Sequence, residues 1–290
     1  MIETKSSGRI SSHAASISTP LHASCLRCDV PVLQRVATAT PDVKGPTVTT
    51  DVLTIENLHV SYRGVKAVDG LTVTVPAGTM TCIVGPNGSG KSTTLKAVLG
   101  LVETSHGRIR FFGQRVDKVR SRIAYVPQRS TTDWDFPINV FDTVLLGTYP
   151  KLRVFQRPGA VEREVARRAL RRVHMEDFAD RQVADLSGGQ QQRVFIARAL
   201  AQQADVLLLD EPLMGIDAAS EANIIEILTE LCRAGKTVVM VHHDLSNIEQ
   251  YFDYIVMLNQ QLIAQGPVAE QLTAEHLTAT FGANLLGRPE

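Results

Sequence analysis

The chain has 290 residues, with 30 Lys and Arg balanced by 30 Asp and Glu. Zero formal net charge argues against a general polyanion binder held by bulk charge, and an apolar content of 44% suffices for an ordinary globular core. The longest apolar runs, such as Val206 to Leu209 and Thr237 to Val241, are of core-strand length and far short of the ~18 residues a bilayer span needs, so the chain is expected to be soluble by itself, with any membrane role supplied by a partner.

Residues 1–50 are rich in Ser, Thr, Ala, Pro and His and show no sustained periodicity. Such a segment cannot bury enough apolar surface to offset its ordering entropy, and it is expected to be a disordered N-terminal extension. It has Arg and Ser with few acids, a faint likeness to an organelle transit peptide, but no apolar h-region of a secretory signal. It holds Cys25-Leu26-Arg27-Cys28, with His13 and His22 nearby. A tetrahedral zinc site needs four placed ligands, usually two pairs, and only one such pair exists, so the bland reading is preferred to a metal sensor. Cys82 and Cys232 lie in apolar patterns and read as buried small hydrophobes. Four cysteines in a chain this long make no disulfide scaffold, and a reducing compartment follows.

Residues 51–290 read as one folded domain. Leu71, Val73 and Val75 alternate with polar residues, as in a half-buried strand, and Met80 to Val84 is a buried strand. A helix starts at Lys91 and stops at Gly100, and Ile123 to Val126 is another short strand. Asn139 can cap a helix ending near Gly147. Val161, Val165, Ala169, Leu170 and Val173 mark the inner face of a helix whose other face is crowded with Arg, taken as a solvated basic face. Gln190 to Gln203 reads as helix and Val206 to Asp210 as strand. Asp217 can cap a helix ending before Gly235, Val238 to Val241 is a strand, and Tyr254 to Leu258 with Gln261 to Ala264 forms a terminal hairpin over Asn259-Gln260. Alternating strands and helices imply an α/β domain with a largely parallel sheet. No internal repeat is visible, so any site is encoded once per chain.

Three stretches carry chemistry. Gly85-Pro86-Asn87-Gly88-Ser89-Gly90-Lys91-Ser92 fits the P-loop pattern GxxxxGK[ST] between a strand and a helix. Its glycines let successive N–H groups turn toward phosphate oxygens, and the helix adds its positive end. Lys91 would reach the β- and γ-phosphates and Ser92 would ligate Mg²⁺. Val206 to Leu209 followed by Asp210-Glu211 is a buried strand ending in paired carboxylates: Asp210 would hold Mg²⁺ and Glu211 could polarise the attacking water. Alone this second motif is weak, since many strands end in a capping acid. Leu186-Ser187-Gly188-Gly189-Gln190 precedes a helix; by itself it could be an N-cap, yet by chance the string is expected in only about one in a few thousand chains of this length.

With these three in order, residues 52 to 270 resemble the ATP-binding cassette (ABC) family. The resemblance implies a P-loop NTPase of ABC ATPase type: an α/β RecA-like core, an antiparallel β subdomain and an α-helical subdomain. It implies ATP and Mg²⁺ as cofactors. The nucleotide would be contacted by Gly85 to Ser92 and by Thr93. Tyr62 matches the aromatic that stacks on adenine, against the plain alternative of a strand aromatic. Gln128, in Tyr125-Val126-Pro127-Gln128, matches the Q-loop residue that touches Mg²⁺ and the lytic water. Asp217 matches the D-loop aspartate, although Leu213-Met214-Gly215-Ile216-Asp217 departs from the commoner form. His243 matches the switch histidine at the γ-phosphate, and His242 fits no family role. The metal set implied is Ser92, Gln128 and Asp210; the catalytic set is Glu211, His243 and Gln128. Ser187, Gly188, Gly189 and Gln190 would reach the ATP of a second copy, so the working unit is a homodimer sandwiching nucleotide beneath an integral membrane permease at the cytoplasmic face.

Tyr125 to Ser130, Asp133-Trp134-Asp135-Phe136-Pro137 and Gly147-Thr148-Tyr149-Pro150 look like the subunits that drive manganese, zinc and iron importers. That resemblance implies a separate extracytoplasmic metal-binding protein and no nucleic-acid partner. Trp134 and Phe136 would face the permease or else pack inside the helical subdomain. A siderophore or haem importer is the nearest alternative. A soluble ABC ATPase on DNA or ribosomes fits less well, because residues 93–185 show no heptads and only one cassette is present. A non-hydrolytic nucleotide-binding module is disfavoured by Glu211 and His243.

Overall fold

A computed structural model describes residues 51–128, 136–153 and 155–282. The expected N-terminal extension, Cys25 and Cys28, and the stretch from Arg129 through Trp134 to Asp135 lie outside the described residues. Two sheets organise the rest. An antiparallel sheet has the order β2-β1-β4, built from β1 (Asp51–Tyr62), β2 (Val65–Pro76) and β4 (His106–Phe111). A six-stranded sheet has the order β5-β6-β7-β3-β8-β9, from β3 (Met80–Val84), β5 (Ile123–Val126), β6 (Val206–Asp210), β7 (Thr237–Val241), β8 (Tyr254–Asn259) and β9 (Gln261–Pro267). Its neighbours run parallel except for the β8–β9 hairpin.

The strands of a parallel sheet are covered on both faces, which is why β3, β6 and β7 are buried at every position. Alternation divides their side chains between two cores. Val206, Leu208, Val239 and Val241 face the core shared with the antiparallel sheet and with α1 (Lys91–Val98), whose Leu95 and Val98 fill the gap between the sheets. Leu207, Leu209, Val238 and Met240 face the other core, against α3 (Val140–Leu145), α4 (Ala160–Arg172), α5 (Gly188–Ala201) and α6 (Ala218–Arg233). The remaining helices are short: α2 (Val116–Val119), α7 (Ile248–Tyr251), α8 (Val268–Gln271) and α9 (Ala274–Phe281). Among the described residues no helix is long and apolar enough to cross a membrane.

Most expected elements are found, including the caps: Asn139 accepts from Asp142 N at the start of α3 and Asp217 from Ser220 N at the start of α6. Three expectations need correction. Val161 does not belong to the buried face of α4; it is 71% exposed in the first turn, and Ala166, Ala169 and Leu170 form the inner stripe instead. Cys232 is only partly buried, unlike Cys82, because it sits at the last turn of α6. The β8–β9 hairpin is not terminal, since α8 and α9 follow it.

Gly147 fixes how the helical elements meet. It lies in the 3₁₀ turns after α3, and a Cβ there would fall 2.1 Å from the Arg198 carbonyl oxygen and 3.1 Å from the Ala201 Cβ. Gly147→Ala is therefore expected to lower stability by the ~1–3 kcal/mol typical of overpacking. At about 2–4 °C per kcal/mol for a domain of this size, the melting temperature should fall by several degrees in calorimetry; an unchanged or higher melting temperature would contradict the contact.

Candidate active site

Gln128 follows β5, Asp210 and Glu211 end β6, His243 follows β7, and Gly85 to Gly90 connect β3 to α1. These strands are consecutive in the sheet, so all five groups emerge along one edge, the carboxyl end where open α/β sheets bind ligands. A pocket of about 250 Å³ opens there, lined by Tyr62, Ala67, Asn87, Gly88, Gly90, Lys91, Ser92, Thr93 and Glu211.

The loop from Gly85 to Gly90 is held by close backbone approach on two sides. A Cβ on Gly85 would lie 2.1 Å from the Leu258 carbonyl oxygen, and one on Gly90, at φ 94°, would lie 2.5 Å from the Ala67 carbonyl oxygen. Gln260 N donates to Ser89 O at 2.9 Å, so the β8–β9 turn braces the loop from behind. Gly90 precedes α1 with no side-chain cap, and the first N–H groups of that helix have no intrahelical partner. These donors line the pocket, as an anion site at a helix start requires.

Lys91 is 6% exposed, and its Nζ donates to Gly85 O at 2.8 Å and Pro86 O at 2.9 Å. Burial pulls its pKa down, opposed by Glu211 and Asp210. Ser92 Oγ donates to Asp210 Oδ1 at 2.8 Å. Asp210 is 1% exposed, and burial raises its pKa, opposed first by the Ser92 hydrogen bond. Tyr125, beside it on β5, has its phenol pushed up to about 12, chiefly by burial and then by Asp210. Gln128 Nε2 donates to Glu211 Oε2 at 2.6 Å. Glu211 itself stands at φ 50°, left-handed backbone that a non-glycine residue adopts only against a steric penalty.

Hard divalent cations take oxygen donors, and the Ser92 hydroxyl, which lines this pocket, and the buried Asp210 carboxylate bonded to it offer an adjacent pair. The donor set fits Mg²⁺. Tyr62 is 47% exposed on the pocket wall, where a flat base can lie against it. His243 is exposed at the same sheet edge, and its recorded ring contact is with the buried His242.

Five sequence candidates lie away from the pocket. Ser187 caps α5 by accepting from Gln190 N, and the Gln190 side chain accepts from Ser187 N at 2.9 Å. Gly188 opens the helix, and Gly189 packs beside α6, where a Cβ would lie 3.3 Å from Ser220 Oγ and 3.5 Å from Asp217 Oδ2. Asp217 is occupied as the α6 cap, with its pKa lowered by the Ser220 N–H. Sequence reasoning missed Ala67, whose backbone walls the site, and the turn at Leu258 to Gln260 behind the loop. Both act through main-chain atoms, which residue type does not reveal.

The chain is similar to known proteins of one family. Residues 68–214 match the family described as ABC transporter. The zinc transport system ATP-binding protein TroB of Treponema pallidum is 47% identical over 231 residues, 80% of this chain and 87% of that protein. The manganese transport system ATP-binding protein MntB of Listeria innocua is 49% identical over 230 residues, 79% of this chain and 96% of its own length. Among solved structures, a dimeric ATP-binding cassette in a post-hydrolysis state, bound to ADP and phosphate, superposes with a TM-score of 0.67 at 28% identity, covering 74% of this chain and 98% of that one. An inward-facing ABC transporter described as of metal-chelate type gives a TM-score of 0.70 at 30% identity, covering 79% and 88%.

A buried carboxylate whose pKa is raised destabilises the fold once it ionises. That stability is lost as pH rises from 3.8 through the raised value. Asp210→Asn is therefore expected to raise the melting temperature of the nucleotide-free protein near neutral pH, with the gain shrinking as the solution is acidified, and to abolish most of the further rise on adding Mg·ATP. Thermal melts across pH, with and without Mg·ATP, check both halves.

Proposed function

This chain belongs to the ABC transporter family, and we propose that it is the ATP-hydrolysing subunit that energises a metal-ion importer, working as a homodimer on a membrane permease. The observation that carries this reading is Glu211: its carboxylate lines the same pocket as Lys91 and Ser92 while Gln128 holds one of its oxygens. A carboxylate so placed can take a proton from water attacking the terminal phosphate.

The roles divide by position. Tyr62 stacks on the base. The N–H groups from Gly88 to Thr93 and the Lys91 ammonium bind the phosphate chain. Ser92 and Asp210, with Gln128, hold Mg²⁺, which when bound offsets phosphate charge as a Lewis acid. Gln128 orients Glu211 and the lytic water, and His243 senses the γ-phosphate. Most of the rate gain then comes from positioning and charge stabilisation. Ser187 to Gln190 lie outside their own pocket and serve that of a second copy, so a lone chain cannot complete its site. Dimeric packing of the ATP-binding cassette among its structural relatives supports this arrangement.

Relatives named for manganese and zinc transport favour one of these ions as the cargo. The cargo would meet the permease and an extracytoplasmic binding protein rather than this chain, and among the described residues no cluster of three metal-ligating side chains occurs. The permease would dock near the Q-loop, where Phe136 is 61% exposed rather than packed within the helical subdomain. The chain would sit at the cytoplasmic face of the membrane through that contact.

Glu211→Gln should retain Mg·ATP binding and lose turnover by about 10²-fold or more, in the range measured for removal of one transition-state contact. It should also accumulate as a nucleotide-dependent dimer in size-exclusion chromatography. Turnover at the normal rate would remove Glu211 from the role of base.

A further inference from the structure

His242 has no part in the chemistry above, yet it is a buried residue of the segment that carries His243. It is 3% exposed, and its N–H donates to Ile83 O at 3.1 Å, tying it to the strand that feeds the phosphate loop. Its ring lies 5.6 Å from Phe252 and 5.7 Å from His243, centroid to centroid. Phe252 is itself a fixed wall, because the next residue, Asp253, accepts from Met80 N at 2.8 Å and donates its own N–H to Met80 O. Two residues on, Asp244 Oδ1 accepts from Ser246 N at 2.9 Å and closes a local turn. His243 is thus exposed between a buried anchor and a small turn. Burial keeps the His242 imidazole below the usual histidine range, hence neutral at physiological pH.

One atom does not fit a purely structural anchor. Among the described residues, the buried Nε2 of His242 has no hydrogen-bond partner. A phenylalanine would fill the same wedge without leaving a buried polar atom unpaired. We propose that His242 is a positioning residue for His243: its ring sets the direction in which His243 leaves β7, and its unpaired nitrogen makes a polar contact when the segment from His242 to Ile248 rearranges on nucleotide. The cost of the unpaired nitrogen in the resting state lowers the barrier to that rearrangement.

This inference rests on the reading of His243 as γ-phosphate sensor, and the test separates the two. His242→Phe and His242→Gln are compared with His243→Ala in the full chain, assayed with its permease and by thermal melts with and without Mg·ATP. His242→Phe should raise the nucleotide-free melting temperature, shrink the further rise produced by Mg·ATP, and lower kcat about tenfold with little change in KM for ATP. His242→Gln, which keeps a polar group near the Nε2 position, should recover most of kcat and of the nucleotide-induced shift. Wild-type kcat and a wild-type shift in His242→Phe would overturn the proposal and leave the ring as packing. A lower nucleotide-free melting temperature in that variant would also overturn it, since the nitrogen would then be satisfied. Normal turnover in His243→Ala would instead sink the sensor reading on which both depend.

Discussion

Ser92 and Asp210 meet across an intervening strand, and much of the site follows from that contact. Ser92 sits on the helix after β3, Asp210 at the end of β6, and β7 lies between those strands. A carboxylate only 1% exposed needs a donor, and the hydroxyl at 2.8 Å supplies one. The bond can form only if the three strands keep the register recorded for them, in which Asp210 pairs with Val241 and Ile83 also pairs with Val241. The same register brings Glu211 and His243 to a common edge. The hydrophobic faces of β3, β6 and β7 thus do more than stabilise the core: they fix the distances among groups that carry charge.

The phosphate loop adds a second constraint, which is steric. It passes between the Ala67 carbonyl on one side and the Leu258 carbonyl on the other, and neither approach leaves room for a Cβ at Gly90 or Gly85. Two of its glycines are thus required by protein packing before any phosphate is considered. The antiparallel sheet and the β8–β9 hairpin, which contribute no reactive side chain, act as the two jaws of this clamp.

The P-loop, the acidic strand end and the two helix caps were legible in the sequence because each is a local pattern whose chemistry is carried by residue type. Less local features were not. β1 and β4 show little clean alternation, since their pairing is broken by register shifts around Leu58 and between Glu56 and His59. Val161 continues the apolar spacing of α4 but falls in its first turn, beyond the reach of the core. The backbone of Ala67 and the turn at Gln260 enter the site through carbonyl and amide groups that every residue possesses. The left-handed backbone of Glu211 follows from a strand end that turns sharply into Pro212, a tertiary demand that overrides the preference of glutamate.

Several features that oppose folding lie at the carboxyl end of the sheet, while others among the described residues, such as the unpaired Gln192 Nε2 and Asn223 Oδ1, lie in α5 and α6. Glu211 is conformationally strained, Asp210 and Lys91 are charged groups taken out of water, and Ser89 Oγ and His242 Nε2 are buried without partners. Asp210 is the last residue of β6 and Lys91 the first of α1, and Ser89, Glu211 and His242 lie in the segments that follow β3, β6 and β7. The strands themselves are fully buried and largely apolar. The two apolar cores hold the strand ends in place, while the segments that carry Glu211 and His242 bear a strained backbone and a buried polar atom.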